Sequence, residues 1–204
     1  MCIRDSADTV AKYIVRSDGS TFHQYNFNPS TGAPKGGVTG QGYDDSSCWS
    51  RGQAWAVYGF TEAYEYTGIS SYLDIAEKAA RYFVAHLMPY GLPLWDFDCA
   101  SLPFRPVDAS AAAIALSGLI TLNKHRRCIE FENGIRSILN GLITHCSALE
   151  IEGWESVLLH ACIGSAYRKG SEHTLVVPYT DCPLIYADYY FLEALMKLEG
   201  LFNL

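Results

Sequence analysis

The chain has 204 residues, 49% hydrophobic and 18% charged, with a net charge of −7 and a pI near 5.3. That length and composition fit one folded domain with a sizeable core and exclude a disordered chain. The acidic balance excludes a nucleic-acid surface, and no apolar run approaches the ~20 residues of a membrane-spanning helix.

Residues 1–6, MCIRDS, do not form a signal peptide and are set apart as a scar of truncation or assembly, leaving residues 7–204 as the domain. Val10, Ala11, Ile14 and Val15 cluster on one face, as in the last turn or two of a helix over residues 7–15. A turn follows at Ser17-Asp18-Gly19-Ser20, then a short strand over residues 21–28 marked by Phe22, Tyr25 and Phe27. Asn28-Pro-Ser-Thr-Gly is a second turn. Residues 32–47 read as loop, and a loop of that length inside a compact domain is usually functional.

The chain is organised around residues 40–60, GQGYDDSSCWSRGQAWAVYGF, where a Gly- and Asp-rich loop becomes a helix. Ser50 and Gln53 fit a Ser-x-x-Gln capping box. Arg51 and Trp55 are four apart and share a helix face, with Tyr58 nearby and Trp49 just ahead. A fixed cation beside two indoles at a helix N-terminus suits an anionic sugar ring: indoles cover its C–H face and Arg grips a carboxylate. The same residues equally fit a buried amphipathic helix whose indoles are core.

Further on, the spacing predicts helices over 50–66, stopped by Gly68, and over 71–87, followed by Pro89. Residues 92–106 are loop with WDFD at the centre. Residues 109–122 form an Ala-rich helix capped by Asp108, apolar nearly all round and therefore interior. The helix over 126–144 carries a stripe of Ile129, Ile135, Ile138, Leu139 and Leu142 and lies outside. Residues 154–177 read as loop with short strands, and an aromatic-rich helix over 184–198 ends the chain. The cluster Lys124-His125-Arg126-Arg127 solvates a helix junction. The pattern is mostly helical, without a readable repeat.

No dinucleotide, phosphate-loop or nucleophile-elbow motif is present, and no paired His spacing marks a metal. His86, His125 and His145 sit in or beside helices as structural or solvated groups. The seven cysteines lack C-x-x-C spacing and read as free, mostly buried thiols of a reducing compartment. What remains is carboxylates among aromatics: Asp44, Asp45, Asp96, Asp98 and Asp108. Two of these could form an acid/base pair. Each also has a plain role: a turn for Asp44 and Asp45, a loop brace for Asp96 and Asp98, a helix cap for Asp108.

SSCWSRGQAWAVYGF closely resembles the signature of glycoside hydrolase family 88, the unsaturated glucuronyl hydrolases. WDFD with DASAAAIALSGL, and PLIYADYYFLEAL, agree in order, and the likeness runs from about Ala7 to the C-terminus. The family domain is about twice this length, so the resemblance is to its C-terminal half. It implies an all-α fold, the second part of an (α/α)6 toroid. It implies removal of a terminal 4,5-unsaturated uronic acid from lyase-generated oligosaccharides by hydration of the C4=C5 bond, without cofactor or metal.

Both catalytic aspartates of the family would lie in a missing N-terminal half, its partner, leaving none in this fragment. The residues that match substrate-binding positions are His23, Gln41, Trp49, Arg51 and Trp55. His160, Ser165 and Ser171, with Arg168 and Lys169, are candidate contacts to the leaving sugar, or else part of a solvated basic loop. An unsaturated galacturonyl (rhamnogalacturonyl) hydrolase and a non-catalytic helical carbohydrate-binding module are the alternatives. A half ring should expose the apolar face of its inner helices, chiefly around residues 109–119. The compartment implied is cytoplasmic, or periplasmic if a signal peptide precedes the family's N-terminal half.

Overall fold

The computed structural model describes residues 3–101, 105–164 and 180–201. Helix α1 (Ile3–Tyr13) is longer than the one or two turns expected and takes in residues 3–6. It leads through the Ser17–Ser20 turn into an antiparallel hairpin, β1 (Gln24–Phe27) and β2 (Pro34–Val38), with Gln24 opposite Val38 and Asn26 opposite Gly36. The second strand lies inside the stretch read as loop. Its sequence, PKGGV, is poor in β-formers, and it pairs because the Asn28 turn folds it back: Asn28 Oδ1 accepts from Ser30 N, and Gly32 takes φ 70°.

The helices α2 (Ser50–Thr67), α3 (Ser70–Ala85), α4 (Ala109–His125), α5 (Ile129–His145) and α6 (Ile185–Leu198) make two layers. Helices α2, α4 and α6 lie side by side, with α3 and α5 packed behind them. Gly68 ends α2 at φ 68°, as its sequence requires. Asp108 caps α4, accepting from Ser110 N and Ala111 N. Gly118 lets α2 and α4 approach closely, since a Cβ there would sit 2.8 Å from the Tyr58 Cα.

Three expectations are corrected. The capping box does not form. Trp49 is the N-cap and makes no side-chain cap bond; Ser50 Oγ donates to the Trp95 carbonyl (2.9 Å). Gln53 turns inward instead, donating to the carbonyls of Gly19 (2.7 Å) and Ala79 (3.0 Å), so tertiary acceptors outcompete the local one. On α5 the buried stripe runs through Phe131, Gly134, Ile138 and Leu142, and Ile129, at the first turn, is 69% exposed. The apolar helix α4 is not laid bare: every residue from Ala109 to Leu122 is buried, because α2, α3, α5 and α6 all pack on it. Exposed apolar surface lies on α6 instead, at Ile185, Tyr189, Leu192 and Met196.

The six cysteines among the described residues are free, and burial pushes Cys48, Cys99 and Cys146 up to about 12, which keeps them thiols. No helix among the described residues is long and apolar enough to cross a membrane.

Candidate functional site

The loop before α2 is pinned from three directions. Arg16 reaches across to the carbonyls of Ser46 (2.7 Å) and Ser47 (2.5 Å). Asp96 accepts from Tyr43 N (2.8 Å) and Ser47 Oγ (2.7 Å), and Asp98 accepts from Cys48 N (2.8 Å). Burial raises the Asp96 pKa, and those hydrogen bonds pull it back only in part. Asp45 accepts from Thr39 N (2.9 Å) and Asp44 from Ser46 N (2.9 Å). The carboxylates weighed as acid/base candidates thus hold the loop and the helix caps.

On this frame four of the five sequence-predicted residues converge. The His23 and Trp49 rings lie 4.3 Å apart, and the Arg51 guanidinium stands 4.7 Å from the Trp49 ring. Arg51 Nη2 donates to Gln41 Oε1 (2.7 Å). His23 Nδ1 accepts from the backbone N–H of Gly40 (3.0 Å) and Gln41 (3.1 Å). Burial first, and the Arg51 charge second, lower the His23 pKa, so the ring is held neutral.

Arg51 itself is only 4% exposed. Besides Gln41 it donates to Ser110 Oγ (3.1 Å) and to the carbonyls of Cys162 and Ile163 (3.1 Å to the latter), with Asp108 Oδ2 at 3.6 Å as counter-ion.

Trp55 stands one turn beyond Arg51 and joins a different group, 5.2 Å from Tyr190 and 6.4 Å from Tyr58 by ring centroids. Tyr186, at the start of α6, lies 5.4 Å from the Arg51 guanidinium. Trp55 and these tyrosines line the facing sides of α2 and α6 below the cluster. His160 sits apart, bonded to Asp181, both with positive φ, and borders a 190 Å³ cavity with Pro106 and Val107. Ser165, Arg168, Lys169 and Ser171 lie outside the described residues. Among the described residues, no group of three or more His, Cys, Asp or Glu side chains gathers as a metal would need.

No protein-family profile matches the chain. Individual proteins do. Over 197 residues it is 36% identical to an unsaturated glucuronyl hydrolase of Formosa agariphila, covering 96% of this chain and 47% of the relative. It is 33% identical to an unsaturated chondroitin disaccharide hydrolase of Streptococcus pneumoniae, covering 95% and 48%. The solved unsaturated glucuronyl hydrolase of Bacillus sp. GL1 superposes with a TM-score of 0.79 at 30% identity, covering 96% of this chain and 51% of that one. Another, specific for heparin, superposes with a TM-score of 0.83 at 30% identity, covering 97% and 52%. Along nearly its whole length, this chain is similar to the C-terminal half of the unsaturated glucuronyl hydrolases.

The chain spans about half the length of the unsaturated glucuronyl hydrolases it matches. The two layers of helices correspond to the helical toroid of the solved hydrolases. One of those, an aspartate-to-asparagine variant from Streptococcus agalactiae at TM-score 0.74, was solved with dGlcA-GalNAc6S. Sequence reasoning weighed Asp108 as a cap or an acid/base candidate, not as the counter-ion of Arg51, and left out Ser110, Tyr186 and Tyr190. Their signal was present: both segments that carry them, DASAAAIALSGL and PLIYADYYFLEAL, share the likeness to the glucuronyl hydrolases.

Proposed function

We propose that this chain is the substrate-holding half of an unsaturated glucuronyl hydrolase domain, acting on oligosaccharides that end in a 4,5-unsaturated uronic acid. The observation that carries this reading is the cluster of His23, Gln41, Trp49 and Arg51 at the start of the inner helices, in a chain similar to those hydrolases over 96% of its length. Trp55 offers an exposed indole face to the sugar ring, the buried Trp49 backs His23 and Arg51, His23 and Gln41 offer hydrogen bonds, and Arg51 supplies positive potential.

The reaction proposed is hydration. A proton goes to C4 of the enol ether, water oxygen goes to C5, and the resulting hemiketal opens and releases the next sugar. Such a step needs a positioned acid and base, each typically worth ~10²–10⁴ in rate. We assign that pair to two aspartates in a segment matching the other half of the relatives. In support, Asp44, Asp45, Asp96, Asp98 and Asp108 are all engaged in holding loops and caps.

Titrating the chain with an unsaturated glucuronyl disaccharide should give saturable changes in indole fluorescence. Trp49→Ala should weaken binding about tenfold, the loss of ~1.4 kcal/mol. The ultraviolet absorbance of the conjugated uronate should persist. Turnover by the chain alone, abolished by Asp44→Asn or Asp98→Asn, would place the catalytic pair within it. Absence of saturable binding would remove the substrate-holding role.

A further inference from the structure

We propose that this chain pairs with a second copy of itself, the free edge of α6 in each packing on the free edge of α2 in the other to close a two-fold ring. The inference rests on the fold and is independent of the substrate-holding role.

The inner helices share a register. Arg51, Ser110 and Tyr186 meet at one level of α2, α4 and α6, and Tyr58, Ser117 and Glu193 meet seven residues on, so the three run in the same direction. Counted in that register, the α6 residues Ile185, Tyr189, Leu192 and Met196 correspond to Ala109, Ala113, Leu116 and Ile120 on α4. On α2 they correspond to Ser50, Ala54, Val57 and Thr61. Every one of these counterparts is buried, whereas the four on α6 are exposed. Spaced four, three and four apart, they share one helix face. That face has the position of a packed one with no helix beside it, and contiguous apolar surface of this kind marks an interaction site.

The opposite edge, on α2, is shaped to receive a helix. Gly118 of α4 lies against the Tyr58 backbone of the preceding inner helix, where a Cβ would sit 2.8 Å from the Tyr58 Cα. Gly59 stands at the same level of α2, and a Cβ there would meet nothing within 4 Å. It borders a 420 Å³ hollow lined also by Ala7, Val10 and Phe60. The glycine that admits a neighbouring helix in α4 thus has its counterpart bare in α2. One edge offers bulky apolar side chains, and the other offers a small residue and a hollow.

A second copy supplies both edges at once. Helices α1, α3 and α5 alternate with α2, α4 and α6 along the chain, which spans about half the length of the toroidal hydrolases it matches. Two copies therefore supply the helices of one such ring. A two-fold axis parallel to the inner helices keeps all of them running in the same direction and continues the α2–α4–α6 succession with α2 of the next copy. Each contact joins unlike faces, and the two-fold axis makes a pair of them that closes. The α6 stripe carries no charge, as suits the centre of an interface.

Sedimentation equilibrium tests this at ~10 μM, where a dimer with a Kd of roughly 1 μM predominates. The chain should sediment at twice its 22.6 kDa mass. Gly59→Lys and Leu192→Asp change exposed positions on the two edges, and each should give a monomer with wild-type helical circular dichroism. Mixed in equal amounts they should pair, since one contact is then unaltered and the other sets opposite charges together. If either variant loses its helical signal, Gly59→Arg or Tyr189→Glu takes its place. A wild-type monomer overturns the inference; if that monomer pairs with a segment matching the other half of the relatives, the edges belong to that segment. A dimer that survives Gly59→Lys, open-ended assemblies, or a mixture that stays monomeric would each overturn it too.

Discussion

Two buried ionic clusters cross the same three helices, seven residues apart. Arg51, Ser110 and Tyr186 meet at the start of α2, α4 and α6, and Tyr58, Ser117 and Glu193 meet two turns below. In the lower cluster Lys197 lies 2.7 Å from Glu193, 2.9 Å from Ser117 Oγ and 3.9 Å from Glu62, all of them helix side chains. In the upper one, a single cation faces a single carboxylate, and besides Ser110 its donors go to loop carbonyls and Gln41. The lower cluster pins helix to helix. The upper one pins loops to helices, and it lies where the candidate site is. Apolar residues can substitute for a cluster of the first kind but not for one that also satisfies main-chain carbonyls.

The sharpest way to break this comparison is to remove both clusters by paired substitution. Arg51→Met alone should cost about 3–5 kcal/mol by the shift in denaturant midpoint, since it leaves Asp108 buried and unpaired. Adding Asp108→Asn should recover little, because the Cys162 and Ile163 carbonyls still lack a donor. Glu193→Leu with Lys197→Met should return to within about 1 kcal/mol of wild type. Equal recovery in both doubles would erase the distinction.

A smaller effect tests the helix register on which both clusters depend. Gly118→Val would drive a Cβ against the Tyr58 backbone, 2.8 Å away, at a cost of about 1–3 kcal/mol, read by the same melts. No loss would mean that α2 and α4 can separate without disturbing either cluster.

Acid should push the two clusters in opposite directions. His23 has a lowered pKa, so below its ordinary 6.5 the unfolded chain binds a proton that the folded one refuses, and stability falls as pH drops toward the folded value. Glu62 has a raised pKa, from burial first and then the Glu193 charge, with Lys197 opposing. Its contribution is present below the ordinary 4.5 and lost as pH rises through the folded value. Stability measured against pH should thus lose its fall below 6.5 in His23→Gln, and lose its recovery on approach to 4.5 in Glu62→Gln.

The smallest effect belongs to a surface pair. Arg81 binds Glu77 (2.9 Å) and Glu130 in the open, and Arg81→Ala should cost only about 0.2–1 kcal/mol. A loss as large as that of Arg51→Met would show that burial is not what separates these ion pairs.

Local chemistry was enough to read much of this protein from its residues. The helices over 50–67, 70–85, 109–125 and 185–198, the Gly68 stop and the Asp108 cap follow from periodicity and terminal residues, which act over a few positions. The placement of Trp49 and Arg51 beside each other was legible for the same reason. What tertiary structure alone decided lies across long separations. Gln53 left its capping role for Gly19 and Ala79, 34 and 26 residues away. The Gly-rich strand β2 paired where its own propensity is weak. Arg51 found acceptors at Cys162 and Ile163, 111 and 112 residues on, which hold its buried guanidinium in place beside Trp49. For Gln53 and Arg51 the physical reason is the same: a buried polar group must be satisfied by whatever packs against it, and only the assembled fold determines what that is.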